Sequence, residues 1–132
     1  MGKRKRPMGV EDHRRRAVLL VEDDYLIATA MSATLDMQGW RVVGPYPGTE
    51  AASRALDEGH TADVAVLDVN LGGERSFSLI DRLLRDEVPV VLTTGYGPDA
   101  IPPAYAGLPC LQKPVQARLL AECLEDLLSG DA

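Results

Sequence analysis

The stretch VLLVEDDYL, Val18 to Leu26, decides the fold. Its four leading apolar residues show no polar alternation, the pattern of a strand covered on both faces inside a parallel sheet. The run then meets three acids, Glu22, Asp23 and Asp24. Carboxylates repel one another, and at the end of a buried strand they are unfavourable unless a positive charge meets them.

Working outward, the same alternation repeats along the chain. Residues 25–38 place Ile27, Ala30, Met31, Thr34 and Leu35 at helical spacing, and Gly39 ends that helix. WRVVGPY, residues 40–46, reads as a second strand, and residues 49–59 as a helix with Ala52, Ala55 and Leu56 inward. ADVAVLDV, residues 62–69, is a third apolar strand. After the loop LGGE, residues 76–86 form a helix with Phe77, Ile80, Leu83 and Leu84 inward. VPVVLTTG, residues 88–95, is a fourth strand with Pro89 at its first position. Residues 96–109 are irregular, since Pro102 and Pro103 allow at most a short helix. CLQK, residues 110–113, is a short fifth strand. Residues 115–128 form the last helix, with Leu119, Leu120, Cys123, Leu124 and Leu127 on or near one face.

Five strands alternating with helices predict an α/β fold, a doubly wound five-stranded parallel sheet with helices on both faces. The 132 residues suit one domain: a basic arm at 1–16, read as solvated and flexible, a globular body at 17–129 and a tail at 130–132. No apolar run is long enough to span a bilayer, and nothing behind the basic N-terminus has signal-peptide character. The arm holds seven of the 14 basic residues and two of the 20 acids, so the body carries a net −11. An acidic body argues against nucleic-acid binding. Cys110 and Cys123 lack metal-ligand spacing and are expected as reduced core or near-core residues of a cytoplasmic protein.

Ligands of doubly wound sheets sit beyond the carboxyl ends of the strands. Strand one ends in Glu22-Asp23-Asp24, strand three in Asp68 followed by Val69-Asn70, strand four in Thr93-Thr94-Gly95, and strand five in Lys113-Pro114. In a parallel sheet these residues share one crevice. Oxygen donors with no histidine or thiolate nearby favour a hard cation such as Mg²⁺, which takes one or two carboxylates and keeps water and phosphate oxygens. Each residue also has a plainer reading: Asp24 as the N-cap of the first helix, Thr94 as a strand-end hydroxyl, Lys113 as a surface side chain. Their joint order on successive strand ends is more specific than any one of them.

The motifs LLVEDD, VAVLDVNLGG, VVLTTG and LQKP resemble the receiver domains of bacterial two-component response regulators, over roughly residues 17–129. The resemblance implies a flavodoxin-like fold with strand order 2-1-3-4-5. It also implies Asp68 as phosphoacceptor, taking its phosphoryl group from a sensor histidine kinase or a histidine phosphotransfer protein. Glu22 and Asp23 become the acidic pair for Mg²⁺, with Asp68 and the backbone carbonyl of Asn70 as further ligands. Thr94 and Lys113 become the phosphoryl contacts. DVNLGGE and TTGYG are similar to a stand-alone subgroup whose fourth strand reads Phe-Ala-Thr-Gly, although Leu92-Thr93 stands here in place of Phe-Ala.

The chemistry suits these residue types. Phosphoryl transfer needs positioning and charge neutralisation above all, and a carboxylate nucleophile yields an acyl phosphate. Where many receivers carry an aromatic switch, three residues before the lysine, this chain has Cys110, so Tyr96 or Tyr105 is expected to carry the readout. The expected function is a phosphoaccepting signalling module without its own output domain, rather than an enzyme. It would act through an unidentified downstream protein or as a phosphate shuttle or sink.

Three alternatives compete with that reading. A haloacid-dehalogenase-type phosphatase would need a second acid two residues after its nucleophile. Asp24 stands there only if Glu22 is the nucleophile, since Tyr25 follows Asp23. A pseudo-receiver interaction module is at odds with the full acid–aspartate–threonine–lysine set. A flavodoxin-like FMN carrier would need a hydroxyl-rich loop after the first strand.

Overall fold

A computed structural model describes residues 15–71, 74–95 and 101–129, with residues 74 and 75 described in their backbone alone. Most of the basic arm, the tail at 130–132 and Tyr96 therefore lie outside the described residues. Strands β1 (Ala17–Val21), β2 (Arg41–Tyr46), β3 (Val64–Asp68), β4 (Val90–Thr94) and β5 (Cys110–Gln112) alternate with helices α1 (Tyr25–Met37), α2 (Thr49–Asp57), α3 (Phe77–Arg85) and α4 (Ala117–Ser129). Asn70–Leu71 and Glu74–Arg75 form a separate two-residue antiparallel ladder, and Pro103–Tyr105 is a single 3₁₀ turn. The main sheet is parallel throughout, in the order β2-β1-β3-β4-β5. It is the flavodoxin-like arrangement expected from the sequence.

The unbroken apolar runs explain this architecture. Every residue of β1, β3 and β4 is buried. Period-two alternation sends Leu19, Val43, Ala65, Leu67 and Leu92 to one face, where Ala52 of α2 and Leu79, Ile80 and Leu83 of α3 cover them. Val18, Leu20, Val64, Val66 and Val91 go to the other, under Met31 and Leu35 of α1 and Leu120 and Leu124 of α4. Each fully buried leucine contributes about 1.5–3 kcal/mol of transfer free energy.

Local signals set the helix ends. Asp24 Oδ1 accepts the Ile27 N–H at 3.0 Å and caps α1, as its position suggested. Beyond α1, Gly39 takes φ +96°, a conformation that favours glycine at the end of a helix. Gly44 (φ +108°) is more constrained, because a Cβ there would stand 2.8 Å from the Leu20 carbonyl oxygen. Arg16, the last residue of the basic arm, lies over the Trp40 ring at 5.0 Å and pairs with Glu125 of α4 at 2.7 Å.

Several helix faces differ from expectation. On α1 the buried residues are Ala28, Met31 and Leu35, while Ala30 is exposed. On α3 Leu79 is buried and Leu84 is 40% exposed. Leu119 on α4 is 41% exposed. Apolar residues on these helices span a wider arc than the sheet can cover, and the neighbouring element decides which margin is buried. Cys110 is exposed rather than in the core, because β5 is a three-residue edge strand whose central Leu111 alone packs inward. Among the described residues, no helix is long and apolar enough to cross a membrane.

Candidate functional site

The carboxyl ends of β1, β3 and β5 meet at one point. Alternation along β1 and β3 carries the inward rows Val18–Leu20 and Val64–Val66 onward to Glu22 and Asp68. Backbone pairing continues one step past the strands: the Glu22 N–H donates to the Tyr46 carbonyl at 2.9 Å, and the Lys113 N–H to the Thr94 carbonyl at 2.8 Å. Lys113, two residues after inward-packed Leu111, therefore reaches the same face as both acids.

The resulting contacts are short. Lys113 Nζ lies 2.8 Å from Asp68 Oδ2 and 2.8 Å from Glu22 Oε1. Asp68 Oδ1 accepts the Asn70 N–H at 3.1 Å, and Glu22 Oε2 accepts the Asp24 N–H at 3.1 Å. Glu22 and Asp68 are buried, at 3% and 6% exposure. Asp23 is exposed, yet one carboxylate oxygen from each of Glu22, Asp23 and Asp68 falls within a 4.8 Å cluster. Thr94 is buried at the end of β4, one residue after Thr93, which sits beside Asp68 in the ladder.

Burial sets the electrostatics. It pushes the Glu22 carboxyl above its usual range, against the Lys113 contact and the Asp24 N–H, with the neighbouring Asp68 charge adding to the rise. Burial would lower the Lys113 ammonium, but its contacts with Asp68 and Glu22 outweigh that and raise it. The lysine therefore stays charged at neutral pH and acts as counter-ion to two buried acids.

The donor set fits an oxygen-seeking divalent cation. All three clustered ligands are carboxylates. Glu22 Oε1 is buried with no aligned hydrogen-bond donor, holding only its charge contact with Lys113. A hard cation would supply the missing coordination.

Of the residues singled out from sequence, the structure brings Glu22, Asp23, Asp68 and Lys113 together, with Asn70 and Thr94 adjoining. Cys110 is exposed, and Tyr96 lies outside the described residues. Tyr105 does not stand free: its ring stacks on Phe77 and its hydroxyl donates to Asp81. The sequence marked Phe77 only as an inward helix residue and did not mark Asp81, although their spacing of four on α3 is the signal that one helix face presents both.

Residues 18–125 match the family model described as the response regulator receiver domain. The transcriptional regulatory protein AfsQ1 of Streptomyces coelicolor is 34% identical over 110 residues, which cover 79% of this chain and 47% of that protein. This chain thus spans about half the length of that curated relative. Among solved structures, the solution structure of SdrG from Sphingomonas melonis Fr1 is 33% identical, with a TM-score of 0.76 over 86% of this chain and 97% of that one. The BeF₃-activated conformation of SdrG from Pseudomonas melonis Fr1 is 34% identical, with a TM-score of 0.73 over 85% of this chain and 95% of that one.

Proposed function

The chain belongs to the response regulator receiver family, and on that premise we propose that it is a phosphoaccepting module of a two-component phosphorelay, with Asp68 as the acceptor. The observation that carries this reading is the double contact of Lys113 Nζ with Asp68 and Glu22, 2.8 Å each, at the buried end of the central strands.

In the proposed reaction an Asp68 carboxylate oxygen attacks the phosphorus of a phosphohistidine on a sensor histidine kinase or a histidine phosphotransfer protein. The Asp68 O–P bond forms, the histidine N–P bond breaks, and the histidine nitrogen keeps the electron pair. The Asn70 N–H fixes one Asp68 oxygen and so orients the nucleophile. Lys113 stays charged and offsets the negative charge gathering on the phosphoryl oxygens. Thr94, buried at the end of β4 with its carbonyl accepting the Lys113 N–H, would offer its hydroxyl to the phosphoryl group. Mg²⁺ held by Glu22, Asp23, Asp68 and the Asn70 carbonyl would supply further charge neutralisation.

We further propose that the signal leaves by interaction with a downstream protein partner. Cys110 and Cys123 are both free thiols, which suits a cytoplasmic setting. Tyr105 is the proposed readout residue. The test is Phos-tag mobility of the protein incubated with acetyl phosphate, with and without Mg²⁺. A metal-dependent shifted band is expected; an unshifted band under both conditions would point to a pseudo-receiver and refute the proposal.

A further inference from the structure

Tyr105 sits on the 3₁₀ turn between β4 and β5, and both of its partners lie on α3. Its ring stacks on Phe77, with centroids 4.9 Å apart and planes 5° from parallel. Its hydroxyl donates to Asp81 Oδ1 at 2.8 Å. Because Phe77 and Asp81 are four apart, the first two turns of α3 present both on one side as a two-point cradle. The hydrogen bond to Asp81, more than burial, raises the phenol pKa, so the group remains a donor at neutral pH.

The cradle connects directly to the proposed acceptor. Phe77 follows Ser76, which is fully buried and donates both its N–H and its Oγ to the Val69 carbonyl, each at 3.3 Å. Val69 follows Asp68. On its other side, Tyr105 organises the approach to β5. Its N–H donates to the Pro102 carbonyl at 2.9 Å and its carbonyl accepts the Leu108 N–H at 3.1 Å, while the Pro109 carbonyl accepts the Leu92 N–H at 2.9 Å. Asp68, Val69, Ser76, Phe77 and Tyr105 thus form one chain of covalent and packed contacts from the crevice to the turn before β5, without Cys110.

We propose that the Tyr105–Phe77–Asp81 contact is a latch of the resting state, released when Asp68 carries a phosphoryl group. The proposal rests on the receiver reading above. In the resting state Asp68 Oδ1 holds the Asn70 N–H and Oδ2 holds Lys113. Phosphorylation turns one of those oxygens into the bridging oxygen of an acyl phosphate and sets new anionic oxygens beside it, so the Val69–Asn70 peptide must re-aim. Ser76 and the first turn of α3 hang from the Val69 carbonyl and move with it. A directional hydrogen bond combined with a near-parallel stack tolerates little displacement. Release frees both rings as an apolar surface for a protein partner.

The experiment titrates the full chain with beryllofluoride in the presence of Mg²⁺ by calorimetry, for wild type, Tyr105→Phe and Asp81→Ala. Asp81 is exposed and Tyr105→Phe keeps the ring, so both variants retain the fold. An interaction present in the resting state and lost on binding opposes binding, and removing it should tighten the mimic about three- to tenfold in each variant. Amide exchange in the wild type should show residues 101–109 losing protection when the mimic binds. A contact that serves packing alone would loosen 101–109 in Tyr105→Phe without changing affinity. Wild-type or weaker affinity in both variants would overturn the latch and leave the receiver reading standing. Absence of mimic binding to the wild type would overturn the receiver reading, and the latch with it.

Discussion

Replacing Lys113 with methionine should cost the metal-free protein about 3 kcal/mol of folding stability, toward the lower end of the range for stranding a buried charge. Each of the two contacts, at 2.8 Å, is worth about 6 kcal/mol of Coulomb attraction at an effective dielectric of ~20. That attraction works against the burial of two carboxylates and their mutual repulsion, which across the 4.8 Å cluster is about 3–4 kcal/mol per pair at the same dielectric. Methionine keeps much of the stem volume and removes the charge, leaving Glu22 and Asp68 buried with no cation between them. The Glu22 carboxyl, already raised mainly by burial, should then climb further and take up a proton, which relieves part of the cost. Urea unfolding followed through Trp40, the single tryptophan, reads the loss in EDTA. The deficit should shrink in millimolar Mg²⁺, because the ion binds the folded acids and not the unfolded chain. A variant within about 0.5 kcal/mol of wild type in EDTA, the scale of an ordinary surface change, would refute the counter-ion argument.

Other consequences are simpler to test. Millimolar Mg²⁺ should raise the melting temperature of the wild type, and Asp23→Asn should abolish most of that rise; an unchanged response would remove Asp23 from the metal site. Lys113→Ala should also slow phosphorylation by acetyl phosphate, read on Phos-tag gels over time, whereas a wild-type rate would separate the lysine from the transfer step. Gly44→Ala should destabilise the protein by more than about 1 kcal/mol, from the positive φ and the close Leu20 carbonyl together, as measured by thermal melts.

The sheet was legible because its three central strands, β1, β3 and β4, are buried on both faces. AVLLV and VAVLD read as apolar runs, and the acids or aspartate ending them mark the crevice in the same glance. Helix faces were less legible. On α3 the apolar residues 77, 79, 80, 83 and 84 wrap more than one stripe, and the choice of Leu79 over Leu84 depends on how the helix lies against the sheet. Lys113 was visible as a strand-end cation, but its contact with Glu22 as well as Asp68 depends on side-chain reach and on β5 ending level with β1, which no local pattern encodes. Tyr105 was visible as a candidate readout aromatic in an irregular segment, without its partners. Its cradle joins residues 24 and 28 positions apart in sequence, and long-range pairing of that kind leaves no periodicity to read.

Asp68 as phosphoacceptor is tested by intact-mass spectrometry after incubation with acetyl phosphate and Mg²⁺, with wild type and Asp68→Asn side by side. One phosphoryl adduct is expected on the wild type and none on the variant. An adduct of wild-type yield on Asp68→Asn would contradict it.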